Sequence, residues 1–239
     1  MFGTKSRAAS PVEPQDNLRL CHYTSLANLI AILEDDKLTL RSPARWDDRN
    51  DAASMEAFRR KTGAAQVCAV SFASGDEQIH HWFNYACKTY GGCIHFNTAA
   101  LLAALDAIPG LIHRPIRYIP QEEISAKKLA ALPPEDLPFI KRRPYEAEQE
   151  YRVLWSGGPD DAPPSIPLSG LIDHLTLAPG MTTPHASGEA NGEAAGKPNP
   201  FGPALADMLT AHYSGRYGLA VHQSRLLYSR DWTSLFDNV

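Results

Sequence analysis

A chain of 239 residues, 44% hydrophobic and 21% charged, is long enough for one well-buried core and has the composition of an ordinary globular protein. Its 23 basic and 27 acidic side chains leave a formal charge of -4, which excludes a global pull on nucleic acid or anionic lipid; such a partner needs a local patch. Neither an apolar signal core after Met1 nor an apolar run of about eighteen residues occurs, so no membrane partner is expected and a cytoplasmic location is, unless an unconventional system exports the protein.

Residues 1–17 mix Ser, Pro, Glu, Gln and Asp without periodicity, and a loose tail is expected there, with one domain over 18–239. Leu18, Leu20 and His22 alternate with Arg19, Cys21 and Tyr23 as in a strand. Thr24 or Ser25 then offers a cap to a helix striped by Leu26, Leu29, Ile30 and Leu33. Residues 37–41 suggest a second strand, and Trp46-Asp47-Asp48-Arg49-Asn50-Asp51 is polar and turn-rich enough to predict a loop. Residues 67–72 form an apolar strand. Ser74-Gly75-Asp76-Glu77 has the spacing of a capping box for a helix reaching Lys88, with Ile79, Trp82, Phe83 and Ala86 buried and His81 and Tyr85 on another face.

Gly91-Gly92 leads into a strand at 93–96 and a helix at 98–105. A strand is expected at 113–119, a helical excursion over 121–140, a longer strand at 145–155, and a short helix mixed with a strand over 168–177. Residues 181–203 are rich in Gly, Ala, Pro, Asn and Glu and predict a long insertion, followed by a helix at 204–213 and a last strand at 219–228. The four cysteines show no Cys-x-x-Cys pair and no zinc-ligand spacing, so buried reduced thiols and no metal are expected.

The chemistry-bearing segments are Cys21-His22-Tyr23-Thr24-Ser25 and Glu148-Gln149-Glu150-Tyr151-Arg152. In a strand, Glu148, Glu150 and Arg152 share one face while Tyr151, Val153 and Trp155 share the other. The charged face is either a solvated surface with ion pairs or one wall of a cleft. Paired carboxylates suit cleavage of a glycosidic bond, whose transition state is oxocarbenium-like; with a pyridinium leaving group, as in NAD+, no general acid is needed. His22 can donate to a ribose hydroxyl, and the backbone of Tyr23 can meet a nicotinamide amide. Lys141-Arg142-Arg143 is either a solvated charge run or a basic patch. Asp47, Asp48 and Asp51 are either loop-capping groups or oxygen ligands of a magnesium-dependent nuclease.

The ordered set of His22-Tyr23-Thr24-Ser25 with its helix, Ser42-Pro43 before Trp46-Asp47-Asp48, Trp82-x-x-Tyr85-Ala86 before Gly91-Gly92, and Glu148-x-Glu150-Tyr151-Arg152 resembles the DUF2971 family, a domain often labelled abortive phage infection protein. The first and last of these motifs resemble, more distantly, the ADP-ribosyltransferase superfamily. That resemblance implies an α+β single domain, a split antiparallel β-sandwich with flanking helices. It also implies His22, Glu148 and Glu150 as the catalytic set, and His22, Tyr23, Thr24, Trp82, Tyr85 and Arg152 around NAD+ consumed as a substrate. Arg41, Trp46, Asp48, Lys141 and Arg142 would meet a nucleic-acid or protein acceptor, and a toxin of this kind would need a neutralising partner. A sensing module that binds a nucleotide or phage component without catalysis is the main alternative, with the nuclease behind it.

Overall fold

Ser25 both ends the first strand, β1 (Leu20–Ser25), and opens the first helix, α1 (Leu26–Asp35): its hydroxyl accepts from the Asn28 amide at 3.2 Å, satisfying one of the helix's unpaired donors. Leu29 and Leu33 then bury completely against the sheet. The computed structural model describes residues 18–46, 48–87, 90–179 and 201–226; the expected tail, Asp47, Lys88, most of the low-complexity insertion and the end of the expected last strand lie outside them.

After β2 (Lys37–Thr39) and a 3-10 turn at Pro43–Arg45, the expected loop gives way at once to α2 (Arg49–Thr62). The Asp48 carboxylate, which made the segment look like a loop, caps that helix by accepting from the Asn50 amide at 2.9 Å and the Asp51 amide at 3.4 Å. Strand β3 (Gln66–Ser74) runs on through Ser74, so Ser74 belongs to the strand and does not cap α3 (Ile79–Tyr85); the residue before that helix, Gln78, makes no side-chain cap. On α3, Trp82 is buried as expected, but His81 is buried with it while Ile79 and Phe83 are 40% and 49% exposed.

Then follow β4 (Gly91–Phe96), α4 (Thr98–Ala107), β5 (Leu111–Pro115), β6 (Arg117–Ile119), α5 (Ala126–Ala131) and β7 (Ile140–Arg142). A 3-10 segment at Arg143–Glu148 replaces the first half of the expected long strand, and β8 starts only at Glu150 (Glu150–Gly157). Gln149 between them is left-handed at φ 46°, pinned by the Ser74 amide and hydroxyl, which donate to its carbonyl at 2.8 and 2.7 Å. β9 (Ser165–Pro167), β10 (Ile172–Leu177), α6 (Phe201–Tyr217) and β11 (Ala220–Gln223) complete the chain; a Gly170 turn stands where a short helix was expected.

Seven strands form one open sheet in the order β11-β10-β4-β1-β3-β8-β5, antiparallel except for the β10-β11 pair, with helices on its faces; the protein is a mixed α/β single domain. Pairing strength varies across it. β3 pairs with β8 over eight residues and β1 with β4 over five, but β1 meets β3 only at Leu20↔Ser74 and Cys21↔Ala73. Past Cys21 the two strands part.

On β8, Tyr151, Val153 and Trp155 enter the larger core with Phe72, Leu101 and Leu175, while Leu154 joins Met55 and Phe58 of α2 on the opposite face. Period-two alternation thus sends Glu150 and Arg152 to the α2 side. Gly91 has no room for a side chain, since a methyl there would be driven into the Ala86 carbonyl oxygen, and at Gly92 it would stand 2.5 Å from Leu29 Cδ2. Gly91→Ala should therefore lower stability by roughly 2–3 kcal/mol in a denaturant titration; an unchanged midpoint would show that the α3–β4 connection gives way freely. No helix among the described residues is long and apolar enough to cross a membrane.

Candidate functional site

Where β1 and β3 part, an open cleft of about 440 Å³ is lined by His22, Tyr23, Arg41, Trp46, Asp48, Asp51, Ser71, Tyr85, Lys141, Glu148 and Glu150 among others. The early histidine and the late carboxylates, far apart in the chain, are therefore brought to one place. The His22 ring fills the position a ladder bond would occupy: its Nδ1 lies 2.9 Å from the Ser71 carbonyl oxygen. A carbonyl only accepts, so Nδ1 carries the hydrogen. Burial lowers the His22 pKa against that bond, the ring stays neutral, and Nε2 is left as an acceptor. Toward the cleft His22 thus presents an acceptor nitrogen, where the sequence suggested a donor.

Ser71 links the two walls. Its hydroxyl donates to Glu150 Oε1 at 2.5 Å while its carbonyl holds His22. Sequence reasoning missed Ser71, although a lone hydroxyl in the apolar run Val67-Cys68-Ala69-Val70-Ser71-Phe72 is a readable signal.

Glu150 is 5% exposed and fully engaged. Oε1 accepts from Ser71 and from Arg152 Nε at 2.7 Å; Oε2 accepts from Arg152 Nη2 at 2.9 Å and from Lys141 Nζ at 2.8 Å. Burial alone would raise its pKa, but Arg152 and Lys141 outweigh that and hold it at about 2. Arg152, with no exposure at all, also forks onto Asp51 at 2.8 and 2.6 Å, donates to the Pro138 carbonyl at 2.6 Å, and lies 5.1 Å from the Trp46 ring centroid. It supports the cleft wall from behind without lining it.

Lys141 departs most from expectation. It is neither on a solvated face nor free for an acceptor: its side chain keeps only 9% exposure and is ion-paired to Glu148 at 2.5 Å, Glu150 at 2.8 Å and Asp51 at 3.2 Å, and these carboxylates outweigh desolvation to raise its pKa. Arg142 turns to a neighbouring pocket and the Tyr145 ring, and Arg143 pairs with Glu146, so the basic run is dispersed. Three carboxylates facing two cations leave the cluster one negative charge in excess. Glu148 is not on the strand, yet Lys141 draws it to Glu150; its Oε2 is taken, and its side chain keeps 14% exposure.

Of the aromatic candidates, Tyr85 lines the cleft and is 42% exposed, whereas Trp82 is a core residue donating from Nε1 to Glu77 at 2.7 Å. The Tyr85 phenol is pushed up by burial and by Glu148 and stays protonated. Thr24 is buried away from the cleft, and the Tyr23 ring lies under α3, 4.9 Å from Trp82 and 5.0 Å from His81. Arg41, Trp46 and Asp48 do line the rim, although Asp48 is committed to capping. With Asp51 held by Arg152 and Lys141, Asp48 and Asp51 have little left to offer a magnesium ion; Asp47, the third of that set, lies outside the described residues.

His81, unremarked in the sequence except for its face, fixes the Glu148 turn: Nε2 is 3.1 Å from the Glu148 carbonyl, while Nδ1 is buried with no partner among the described residues. Burial, reinforced by His80, lowers its pKa to about 4. The unfolded chain therefore binds protons near pH 6.5 that the folded one refuses, at His81 and also at His95, which burial lowers to about 4, and at His22, and stability present above that pH is lost as pH falls towards 4. Glu150, below the usual carboxylate value, adds a second loss from about pH 4.5 towards 2. Denaturant titrations across pH should show stability falling in these two stages. His81→Asn should remove on the order of 2 kcal/mol from the upper one, and an upper stage unaltered by that substitution would refute the assignment.

No protein-family model matches the sequence, and no curated protein matches it.

Proposed function

We propose that the cleft binds NAD+ and that the protein is a mono-ADP-ribosyltransferase of the toxin or phage-defence kind, distantly similar in arrangement to that superfamily and of DUF2971 type. The observation that carries this reading is the meeting of His22 with the Glu148–Glu150 pair on two walls of one cleft, bridged by Ser71. Its size falls within the range of small-molecule sites. The expected split sandwich is here a single open sheet, but β1 and β3 pair only at Leu20–Cys21, and their parting beyond it gives a ligand room.

In this reading the bond from the ribose anomeric carbon to nicotinamide breaks, its electron pair neutralising the pyridinium nitrogen. The oxocarbenium ion faces the excess negative charge of the carboxylate cluster. A carboxylate has about four lone-pair sites, and those of Glu150 are all used, so Glu150 supplies field while Glu148 contacts the sugar and takes the acceptor's proton. His22 accepts from a ribose hydroxyl, and Tyr85 offers a face to the nicotinamide. The acceptor is a protein or nucleic acid reaching the Arg41–Trp46 rim; with water instead, the reaction is NAD+ hydrolysis.

The same saturation of Glu150 favours one other reading, a module that binds a nucleotide or phage component without turning it over. Incubation with NAD+ while RNA, DNA and protein acceptors are added in turn separates the two. Nicotinamide release supports transfer or hydrolysis; calorimetric binding without release supports the module; neither outcome removes both.

A further inference from the structure

Away from the cleft chemistry, on the face of the sheet that carries the Tyr23 ring, β1 and β4 juxtapose three soft or borderline donors. Cys21 is the register partner of His95, and Cys93 lies two residues before His95 and opposite Tyr23, so all three side chains share a face. Their ligand atoms lie within 4.8 Å of one another, with both cysteines buried. We propose that Cys21, Cys93 and His95 form a binding site for a zinc-class divalent cation.

Bonds of about 2.3 Å to sulfur and about 2.0 Å to nitrogen set tetrahedral donors roughly 3.5–3.8 Å apart, so small side-chain rotations close the site. Two thiolates and a neutral imidazole around a divalent cation carry no net charge, which suits a buried position. Burial holds the Cys93 thiol protonated, and the proton of each coordinating thiol leaves to solvent as the metal enters.

Two independent features point to a ligand. Among the described residues the buried Tyr23 hydroxyl has no well-aligned hydrogen-bond partner and only the Cys21 and Cys93 sulfurs beside it, so a cation between those sulfurs would give it one. The His95 ring is fixed on both sides: Nε2 lies 3.0 Å from the Thr176 hydroxyl, and His174 stacks on it at 4.1 Å with an 8° tilt between the planes. Metal at this point would tie β1 to β4 just where β1 leaves β3, and so hold His22 and Tyr23 in place whether or not the cleft is catalytic.

The test uses the full chain, reduced, stripped with a chelator and titrated with cobalt(II). One equivalent should give a thiolate-to-cobalt charge-transfer band with the intensified visible bands of a tetrahedral ion. Cys21→Ser and Cys93→Ser should each weaken binding by more than about 100-fold, beyond the loss typical of an outer-sphere change. Cys87→Ser, at the exposed thiol, should leave the titration unchanged. Should the serine variants fail to fold, His95→Gln, at a half-buried position, should still shift the visible bands. A wild-type titration showing only weak octahedral cobalt, or a charge-transfer band that survives in the folded Cys21→Ser/Cys93→Ser double variant, would overturn the site.

Discussion

Arg152→Met should destabilise the protein by about 3–5 kcal/mol, the usual result of stripping one partner from a buried ion pair. The side chain has no exposure and holds Asp51 and Glu150 through four charge-assisted bonds. Without it, Lys141 alone faces three carboxylates. Methionine fills much of the same volume and sits beside Met55, so the loss is electrostatic and not a cavity effect. The sign of the pH dependence gives the sharper reading. In the wild type Glu150 is held at about 2, and its stabilisation is present above pH 4.5 and lost as pH falls. In the variant, burial is opposed only by Lys141 and Ser71, the folded-state pKa of Glu150 rises, and the stability gap to the wild type should narrow on acidification below about pH 4.5, while the His81 stage above it stays common to both. A variant that loses stability on acidification just as the wild type does would show that Arg152 is not what depresses Glu150.

Glu148→Gln should cut nicotinamide release by about 10²–10⁴, the range for loss of a positioned base, with the fold intact. This carboxylate lies at the end of a 3-10 segment, keeps partial exposure and has one oxygen paired with Lys141, which a glutamine carbonyl can still accept from. Its removal therefore disturbs chemistry more than packing. Glu150→Gln is the contrasting case: it unbalances the buried network and should lower both release and the unfolding midpoint. If an active wild type tolerates Glu148→Gln while Glu150→Gln alone abolishes release at full stability, the roles given to the two carboxylates are exchanged.

Periodicity made β1, α1, β3, β4 and α4 legible, because each has a stripe or alternation that one core face explains. It failed at α2, where five polar residues in succession after Trp46 looked like a loop. One of them, Asp48, is the cap, and the helix interior lies beyond it. It failed again at residues 145–149: alternation in Glu148-Gln149-Glu150 implies a strand, but the left-handed Gln149 and its bonds to Ser74 end the ladder at Glu150.

The sequence by itself determined which residue types are available to the cleft: an imidazole at a strand end, two late carboxylates, and a cationic pair at Lys141 and Arg152. Local hydrophobic patterns also dictated the strands that carry His22, Glu150 and Arg152, but not the short strand of Lys141 or the 3-10 segment of Glu148. Only the tertiary structure decided that the charged face of β8 is covered by α2, which turns a solvated surface into a buried network, and that Lys141 serves three carboxylates in place of an acceptor. It alone also brings Cys21 opposite His95, a pairing invisible to linear ligand spacing. Short-range patterns report what each segment must bury, whereas charge balance and ligand geometry are set by segments that meet only when the sheet closes its register.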